Sequence, residues 1–190
     1  YGEVKMQIQT VENFLNGVPI DYYVQVNMES FKEIVDAIGG VTVNNKLAFT
    51  SGKYDFPVGQ VVLNGEKALS FTRMRKNDPR GDFGRTERQR LVVSAIIDQG
   101  AKVSNITKLT NVLKVLGDNV KTNLSFDEMN LLLSNYKECR LNTQSFEVKG
   151  VGKMIDNVWY YIVSDRERQN ISAKLKEHLT INLPASTVVN

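Results

Sequence analysis

The chain has 190 residues, of which 42% are apolar and 24% charged, with one cysteine (Cys139) and one histidine (His178). This length and composition predict one folded domain with a sizeable core. The lone cysteine and histidine exclude a disulfide framework and a Cys/His zinc site. The sequence as given contains no apolar run long enough for a transmembrane helix and no signal peptide.

Positive charge is concentrated in one segment. The whole chain carries 24 basic and 21 acidic side chains, a net charge of +3. Residues 73–90 hold six arginines and one lysine against Asp78, Asp82 and Glu87, so seven minus three gives a local excess of +4. Arginine binds phosphate or carboxylate oxygens in pairs through its planar guanidinium. This preference for arginine over lysine indicates anion binding rather than mere solubility.

Apolar residues recur at helical spacing along much of the chain. Gly17 ends a first helix, Asn27 and Asn64 are predicted N-caps, and Ser125 with Glu128 forms a predicted capping box. These signals predict helices at about 3–16, 28–38, 64–70, 85–100, 106–116, 125–136 and 164–178. A loop over about 76–84 precedes the longest of them, because Pro79, Gly81 and Gly84 break the pattern.

Alternating and β-branched residues predict the strands. They fall at about 21–27, 41–43, 143–149 and 158–163, with a hairpin or extended flap over 45–63. Strands that alternate with helices predict the α/β class, an α-β-α sandwich with a central mixed sheet flanked by helices. We expect one domain over 1–180, incomplete at its N-terminus, and a loose C-terminal tail over 181–190.

The basic segment has a geometry of its own. Arg85, Arg88 and Gln89 are spaced i, i+3, i+4, so they share one helix face that continues into an apolar stripe. Arginine at the end of a core-facing stripe is costly unless an anion meets it, and the helix N-terminus favours an anion at the same place. Asp82 can cap the helix or orient an arginine. The alternative is a structural Arg-Asp network in a basic surface loop.

The other candidate sites are weaker. Asp78 and Asp82 could hold a metal together, but with the neighbouring proline and glycines they are equally a turn signature. Residues 164–169 repeat a Glu-Arg-Gln tripeptide without the glycines or the arginine pair, which predicts an ordinary capped helix start.

Five segments in order resemble the LytR-CpsA-Psr family. They are residues 11–15, 18–23, 31–41, 63–69 and 73–89, and the last contains Arg73-Met-Arg75 and Gly81-Asp-Phe-Gly-Arg85. The similarity is strong over about 1–101 and looser to about 179. The spacing of five motifs makes it specific.

The resemblance implies an enzyme of the cell membrane, anchored there and facing outward in Gram-positive bacteria. Such a phosphotransferase moves a phosphoglycan, such as wall teichoic acid or capsule, from a polyprenyl pyrophosphate lipid to peptidoglycan. It implies catalytic roles for Arg85 and Asp82, and pyrophosphate binding by Arg73, Arg75, Arg85 and Gln89. We add Arg88 to the binding set from the helix-face argument, although the family motif makes it less central.

The resemblance also implies Mg²⁺ as a cofactor. The family's metal ligands lie upstream of the position that matches Tyr1, so we expect no metal ligand in this chain. Two other functions remain open: a polyprenyl-pyrophosphate binding module without catalysis, and a nucleic-acid-binding regulator. The second is disfavoured, because the chain lacks helix-turn-helix spacing, a basic stripe elsewhere and an exposed aromatic series; we therefore expect no nucleic acid among its partners.

Overall fold

The computed structural model describes residues 4–76, 78–102 and 120–180. These residues form helices interspersed with single strands and groups of strands, which confirms the α/β class. The helices are α1 (Val4–Phe14), α2 (Met28–Ala37), α3 (Gly65–Arg73), α4 (Asp82–Lys102), α5 (Phe126–Asn135) and α6 (Asp165–Thr180). The strands are β1 (Val24–Val26), β2 (Val41–Asn45), β3 (Phe49–Ser51), β4 (Tyr54–Phe56), β5 (Gly59–Leu63), β6 (Val120–Thr122), β7 (Val151–Ile155) and β8 (Val158–Ile162).

The strands within the described ranges pair as four antiparallel two-stranded ladders, β1 with β6, β2 with β5, β3 with β4 and β7 with β8. A 3-10 helix, Lys137–Asn142, follows α5. Of the helices in the described ranges, none is both long and apolar enough to cross a membrane.

The chain divides into two compact units. One combines Tyr1–Asp21 with Thr143–Asn190, and the other is the continuous stretch Tyr22–Asn142. The basic segment lies wholly in the continuous unit, so the candidate site can be described within that unit alone.

The core of the continuous unit lies between the β2–β5 ladder and three helices. Alternate residues of β2 and β5 are buried, from Val41 paired with Leu63 to Asn45 paired with Gly59. Three phenylalanine rings from β3, β4 and α3 pack together, with centroid separations of 4.8 to 5.4 Å. Burial of such rings is a large apolar contribution to stability. The predicted α4 stripe is confirmed: Val92 is fully buried, and Leu91, Ala95 and Ile96 pack against the core.

Buried Asn45 joins the strand ends in this core. Its side-chain amide donates to the carbonyl oxygens of Leu47 at 2.6 Å, Pro57 at 2.8 Å and Phe56 at 3.1 Å. Buried backbone acceptors need such partners, so the two N–H groups of the Asn45 amide, within reach of all three carbonyls, hold the chain after β2 against the end of β4.

The predicted helix caps are confirmed. The Asn27 side chain accepts from the Ser30 backbone N–H, and the Asn64 side chain accepts from the Lys67 backbone N–H. Ser125 and Glu128 form the reciprocal capping box. Gly39 and Gly40 adopt positive φ after α2, as glycines that end a helix commonly do.

Three predicted boundaries are wrong. The long helix α4 begins at Asp82 rather than Arg85, so Gly84 lies inside the helix. The strand expected at 143–149 is absent there, and β7 spans Val151–Ile155. The strand expected over 21–27 is only Val24–Val26 long. The predicted helix at 106–116 and the tail 181–190 lie outside the described residues.

The β7–β8 error has a clear cause. Asp156 and Asn157 link the two strands, with φ of 48° and 60°. Positive φ at both central residues is typical of the two-residue turns that match the strand twist. This turn fixes β7 immediately before it, so residues 143–149 cannot be the partner of β8.

The discontinuous unit connects α1 with α6. The Arg168 side chain donates to the Phe14 and Asn13 carbonyls, each at 2.9 Å, and Lys176 Nζ donates to the Asn16 carbonyl at 2.7 Å. Carbonyls at a helix C-terminus lack intrahelical donors, so α6 supplies the missing ones. Arg168 belongs to the repeated Glu-Arg-Gln tripeptide, where the predicted Ser164 cap is confirmed by the Glu167 N–H to Ser164 Oγ bond of 3.2 Å.

Loss of the Asn64 cap is expected to destabilise α3, the helix that ends at Arg73. Asn64→Ala removes the acceptor for the Lys67 N–H and should lower the free energy of unfolding by about 1 kcal/mol. Lys67→Ala, an exposed change on the same helix, should shift it by less than about 0.5 kcal/mol. Urea denaturation of both variants measures the difference, and equal stabilities would contradict the capping role.

Candidate anion-binding site

A cleft of about 820 Å³ lies in the continuous unit. Three segments line it: the end of β3, the loop after α3, and the first turn of α4. The lining residues are Thr50, Ser51, Arg73, Met74, Arg75, Lys76, Asp78, Pro79, Gly81 and Arg85. The structure thus brings together three of the predicted arginines, although they are up to twelve residues apart in sequence.

Met74 explains how the first two arginines point into the cleft. It follows α3 in an extended conformation, with φ −59° and ψ 131°, and its side chain is buried. Successive side chains of extended backbone point in opposite directions. Arg73 and Arg75 are therefore exposed while Met74 anchors the segment in the core.

Asp82 connects the loop arginine to the helix arginine. Its Oδ1 lies 2.6 Å from Arg85 Nη2 and 3.8 Å from Arg75 Nε. Asp82 is half exposed and is the first residue of α4, where a carboxylate is also favoured by the helix dipole. In this arrangement Asp82 pairs with both arginines and holds Arg75 and Arg85 near each other.

Positive charge in the cleft exceeds its compensation. Arg73 and Lys76 have no carboxylate within ion-pair distance among the described residues, and Arg75 and Arg85 share one. The Arg85 Nε is buried and has no hydrogen-bond partner in the described part of the chain. Within the described residues, the four cations Arg73, Arg75, Lys76 and Arg85 have one carboxylate partner, Asp82, because the lining residue Asp78 is neutralised by Arg80 and Arg88. A buried N–H without a partner is a donor that an anion would satisfy.

Beneath the cleft lies a buried ion pair. Asp78 Oδ2 lies 2.5 Å from Arg88 Nη1, and both side chains are almost completely buried. Arg88 Nε donates to the Phe71 carbonyl at 3.2 Å, and Arg88 Nη2 donates to the Met74 carbonyl. The guanidinium carbon lies over the Phe49 ring, 5.3 Å from its centroid. Arg88 therefore contacts α3, the loop and β3 at once.

Asp78 is also held from the solvent side. Its Oδ1 accepts from the Arg80 backbone N–H at 2.8 Å and from Arg80 Nε at 3.3 Å. Burial opposes ionisation of Asp78, but the hydrogen bonds from Arg88 and Arg80 outweigh it and hold the pKa of this carboxyl below its ordinary value. Arg80 also forms an ion pair with Glu87. The other oxygen of Glu87 lies 3.2 Å from Lys46 Nζ.

Two of the predicted binding residues do not line the cleft. Gln89 is exposed on α4 and lies outside the lining set. Arg88 is only 3% exposed, and protein acceptors occupy all three of its nitrogens. The geometry argues against the anion contact predicted for Arg88, because its guanidinium has no face left for a ligand. Asp78, Arg80 and Arg88 form an Arg-Asp network of the kind given as the alternative, and Arg73, Arg75 and Arg85 of the predicted anion-binding set lie in the cleft above it.

Lys76, Thr50 and Ser51 were not among the predicted site residues. Lys76 follows the arginine pair directly, so the local charge excess was an available signal for it. The two β3 hydroxyls had no such signal, because they reach the cleft only through the fold. Ser51 exchanges hydrogen bonds with Ser70 of α3, at 2.9 to 3.2 Å, which holds the β3–β4 hairpin at the cleft wall.

The two glycines of the predicted loop, Gly81 and Gly84, have different roles. Gly81 has a φ of +56°, in the left-handed region that favours glycine, and it lines the cleft. Gly84 makes room for Asp78: a Cβ built on Gly84 would lie 1.8 Å from Asp78 Oδ2. The missing side chain of Gly84 therefore permits the close approach of a buried carboxylate.

The carboxylates of this site do not suit a metal ion. Asp78 is fully engaged by two arginines, and Asp82 is paired with two others. Within residues 4–76, 78–102 and 120–180, no three His, Cys, Asp or Glu side chains converge as a metal site would require. The metal alternative for Asp78 and Asp82 is therefore disfavoured by their arginine partners.

The chain matches known proteins along most of its length. A sequence model of the LytR_cpsA_psr family matches residues 1–177. The polyisoprenyl-teichoic acid–peptidoglycan teichoic acid transferase TagU of Bacillus licheniformis is 50% identical over 179 residues, which is 94% of this chain and 58% of that protein. The chain thus spans less than two thirds of this curated relative.

Solved structures agree with the sequence match. The crystal structure of TagU from B. subtilis has a TM-score of 0.74 and 44% identity, covering 100% of this chain and 76% of that one. The structure of TagT bound to LIIa-WTA has a TM-score of 0.74 and 28% identity, covering 94% and 69%.

Gly84→Ala is expected to destabilise the protein. The added methyl group must displace the Asp78 carboxylate, and breaking a buried ion pair costs about 3 kcal/mol or more. Gly100→Ala is the matched control in the same helix, because its Cβ would meet nothing within 4 Å; it should stabilise by about 0.5–1 kcal/mol. Chemical denaturation gives both values, and a neutral Gly84→Ala would show that Asp78 is not confined.

Acid should destabilise the protein partly through Asp78. Because the folded-state pKa of Asp78 is lowered, its contribution is complete above the unfolded pKa of about 3.9 and is lost as pH falls through the lower folded value. Asp78→Asn should lower stability at pH 7 and flatten the loss below about pH 4. Denaturation from pH 7 to pH 3 tests this, and parallel profiles for both proteins would contradict it.

Proposed function

Because the chain belongs to the LytR_cpsA_psr family, we propose that it is the greater part of a transferase that moves a glycan polymer from a polyprenyl pyrophosphate carrier to peptidoglycan. The observation that carries the proposal is the excess of cations in one cleft, Arg73, Arg75, Lys76 and Arg85 around Asp82. A pyrophosphate is a compact dianion or trianion, which this excess suits. The name of the relative, a teichoic acid transferase acting on peptidoglycan, supports the reaction type and the polymer.

The proposed reaction is an in-line displacement at phosphorus. A hydroxyl of the acceptor attacks the sugar-side phosphorus, a new P–O bond forms, and the bond to the bridging oxygen breaks. Polyprenyl phosphate leaves with that oxygen and its electron pair. Guanidiniums placed beforehand stabilise negative charge on the phosphoryl oxygens as it develops. Arg85 has the unpaired Nε for this role.

The acceptor hydroxyl must lose its proton. Asp82 is the candidate base, because Asp78 is committed to two arginines while Asp82 is half exposed beside Arg85. Asp82 also orients Arg75 and Arg85 through its ion pairs with both. Gln89, exposed one turn after Arg85, stays a predicted contact of the substrate.

Magnesium also stays a prediction. Among the described residues, no three His, Cys, Asp or Glu side chains converge as a metal site, and no step of the proposed reaction is assigned to a metal. Ligands for Mg²⁺ would come from the part of the longer relatives that this chain does not span. Three further expectations also stay predictions. They are the membrane anchor, the location on the extracellular face of a Gram-positive cell membrane, and the absence of a nucleic-acid partner.

The decisive experiment uses the whole protein, including the segment present in its relatives but not here. Arg85→Ala should weaken binding of a polyprenyl pyrophosphate by about 10- to 100-fold, because a charge-assisted hydrogen bond contributes about 1.5–3 kcal/mol. Turnover of the lipid-linked glycan should fall at least as much. Arg90→Ala, an exposed arginine outside the lining set, is the matched control and should change neither.

The outcomes separate the candidate functions. Binding that Arg85→Ala abolishes, without turnover by the wild type, would favour the carrier module over the transferase. Equal affinities for wild type and Arg85→Ala would sink both readings and leave the cluster a structural network. Binding of DNA with a steep salt dependence would instead favour the nucleic-acid alternative.

A further inference from the structure

We infer that Arg88, with Asp78, is a positioning residue for this site: it touches no substrate and acts by holding Arg73 and Arg75 in the cleft. The inference rests on the proposed function, since it concerns how the same site is kept ready for its anion. It replaces the direct anion contact that the helix-face spacing predicted for Arg88.

The contacts of Arg88 fall on each wall of the cleft. Its Nε and Nη2 bind the carbonyls of Phe71 and Met74, which bracket Arg73. Its Nη1 donates to Asp78, the residue at which the loop turns toward α4. Its guanidinium carbon lies over the ring of Phe49, the neighbour of the cleft residue Thr50. One guanidinium thus fixes the backbone on both sides of the arginine pair.

The geometry requires arginine rather than a generic cation. Three donors in one plane reach three separate acceptors, and the guanidinium carbon lies over an aromatic ring. An ammonium is a compact point charge and cannot reach all three acceptors from one place. A lysine at position 88 would keep the charge but release at least one carbonyl and with it the loop.

The ion pair also has a reason to be held in one arrangement. Arg88 and Asp78 are almost completely buried, so separating them would leave a charge without water or partner. Gly84 removes the Cβ that would push Asp78 aside. The loop is therefore confined from below by Arg88 and from the side by α4, while its two exposed arginines remain available.

A positioning role and a direct contact predict different results for Arg88→Lys. We would measure geranylgeranyl pyrophosphate binding to the whole protein, at a temperature where thermal melts show each variant folded. Arg88→Lys and Arg88→Met should both weaken binding by about tenfold, which corresponds to about 1.4 kcal/mol. A direct ligand would be partly rescued by lysine, which binds phosphate as a point charge.

A double-mutant cycle separates positioning from a general effect on folding, because it compares the loss of binding affinity caused by Arg88→Lys in two backgrounds. In a background of Arg73→Ala with Arg75→Ala, Arg88→Lys should weaken binding by less than about twofold, because the side chains it positions are gone. Equal losses in both backgrounds would overturn the inference, and so would a folded Arg88→Lys with wild-type affinity.

Arg80→Gln keeps the test decisive if the Arg88 variants do not fold. Arg80 supports Asp78 from the solvent side and lies outside the cleft lining. Its replacement should give a smaller loss of affinity that also vanishes in the double-alanine background; an unchanged affinity, or a loss that persists there, would count against positioning. Arg85→Ala distinguishes failure of the proposed function from failure of the positioning role. If Arg85→Ala also leaves binding intact, the proposed function fails. If Arg85→Ala weakens binding and only the Arg88 and Arg80 results fail, the positioning role alone is wrong.

Discussion

The buried contact between Asp78 and Arg88 is the constraint on which the arrangement of the cleft depends. A charge taken out of water is costly, and it is tolerated only when its partner and its remaining hydrogen-bond groups are satisfied. Here the guanidinium meets a carboxylate, two carbonyls and a ring face. These four partners come from β3, α3 and the loop after α3, while Arg88 itself lies in α4, so the full set of contacts forms only when all four segments are in place together.

The two layers of charge have opposite electrostatic character. In the lower layer, Asp78 lies between Arg88 and Arg80, and the lowered pKa of its carboxyl keeps that layer compensated. In the upper layer, cations outnumber carboxylates and one arginine Nε has no acceptor among the described residues. The compensated ion pair beneath the cleft therefore supports a group of like charges at its surface. Under the proposed function, such prior placement would reduce the reorganisation needed when negative charge develops on a bound phosphate.

Local signals in the sequence carried much of the fold. Asn64 and Ser125 cap their helices as predicted, because a side-chain acceptor three residues before a free N–H acts within one turn. The α4 stripe also followed from spacing alone. The family resemblance correctly identified Arg73, Arg75 and Arg85 as neighbours, which spacing could not do across a loop.

Features that depend on tertiary packing escaped prediction. Arg88 shares a helix face with Arg85, but whether that face meets solvent or Asp78 is decided by the loop that folds over it. Gly84 looked like a loop residue, whereas it is a helical residue that accommodates a carboxylate. Asn45 gave no signal at all, since its three carbonyl partners are brought together only by the hairpin. Asp156 and Asn157 were the missed local signal, because their turn determines which residues become β7.

The contacts between α1 and α6 bear on the order in which the chain can fold. Arg168 and Lys176 supply donors to carbonyls at the end of α1, more than 150 residues earlier. Contacts that close such long loops carry an entropy cost and form slowly. During synthesis from the N-terminus, the continuous unit can collect its own contacts while α1 still lacks these donors. We therefore expect α1 to acquire its final stability last, because its contacts with α6 can form only after α6 has been synthesised.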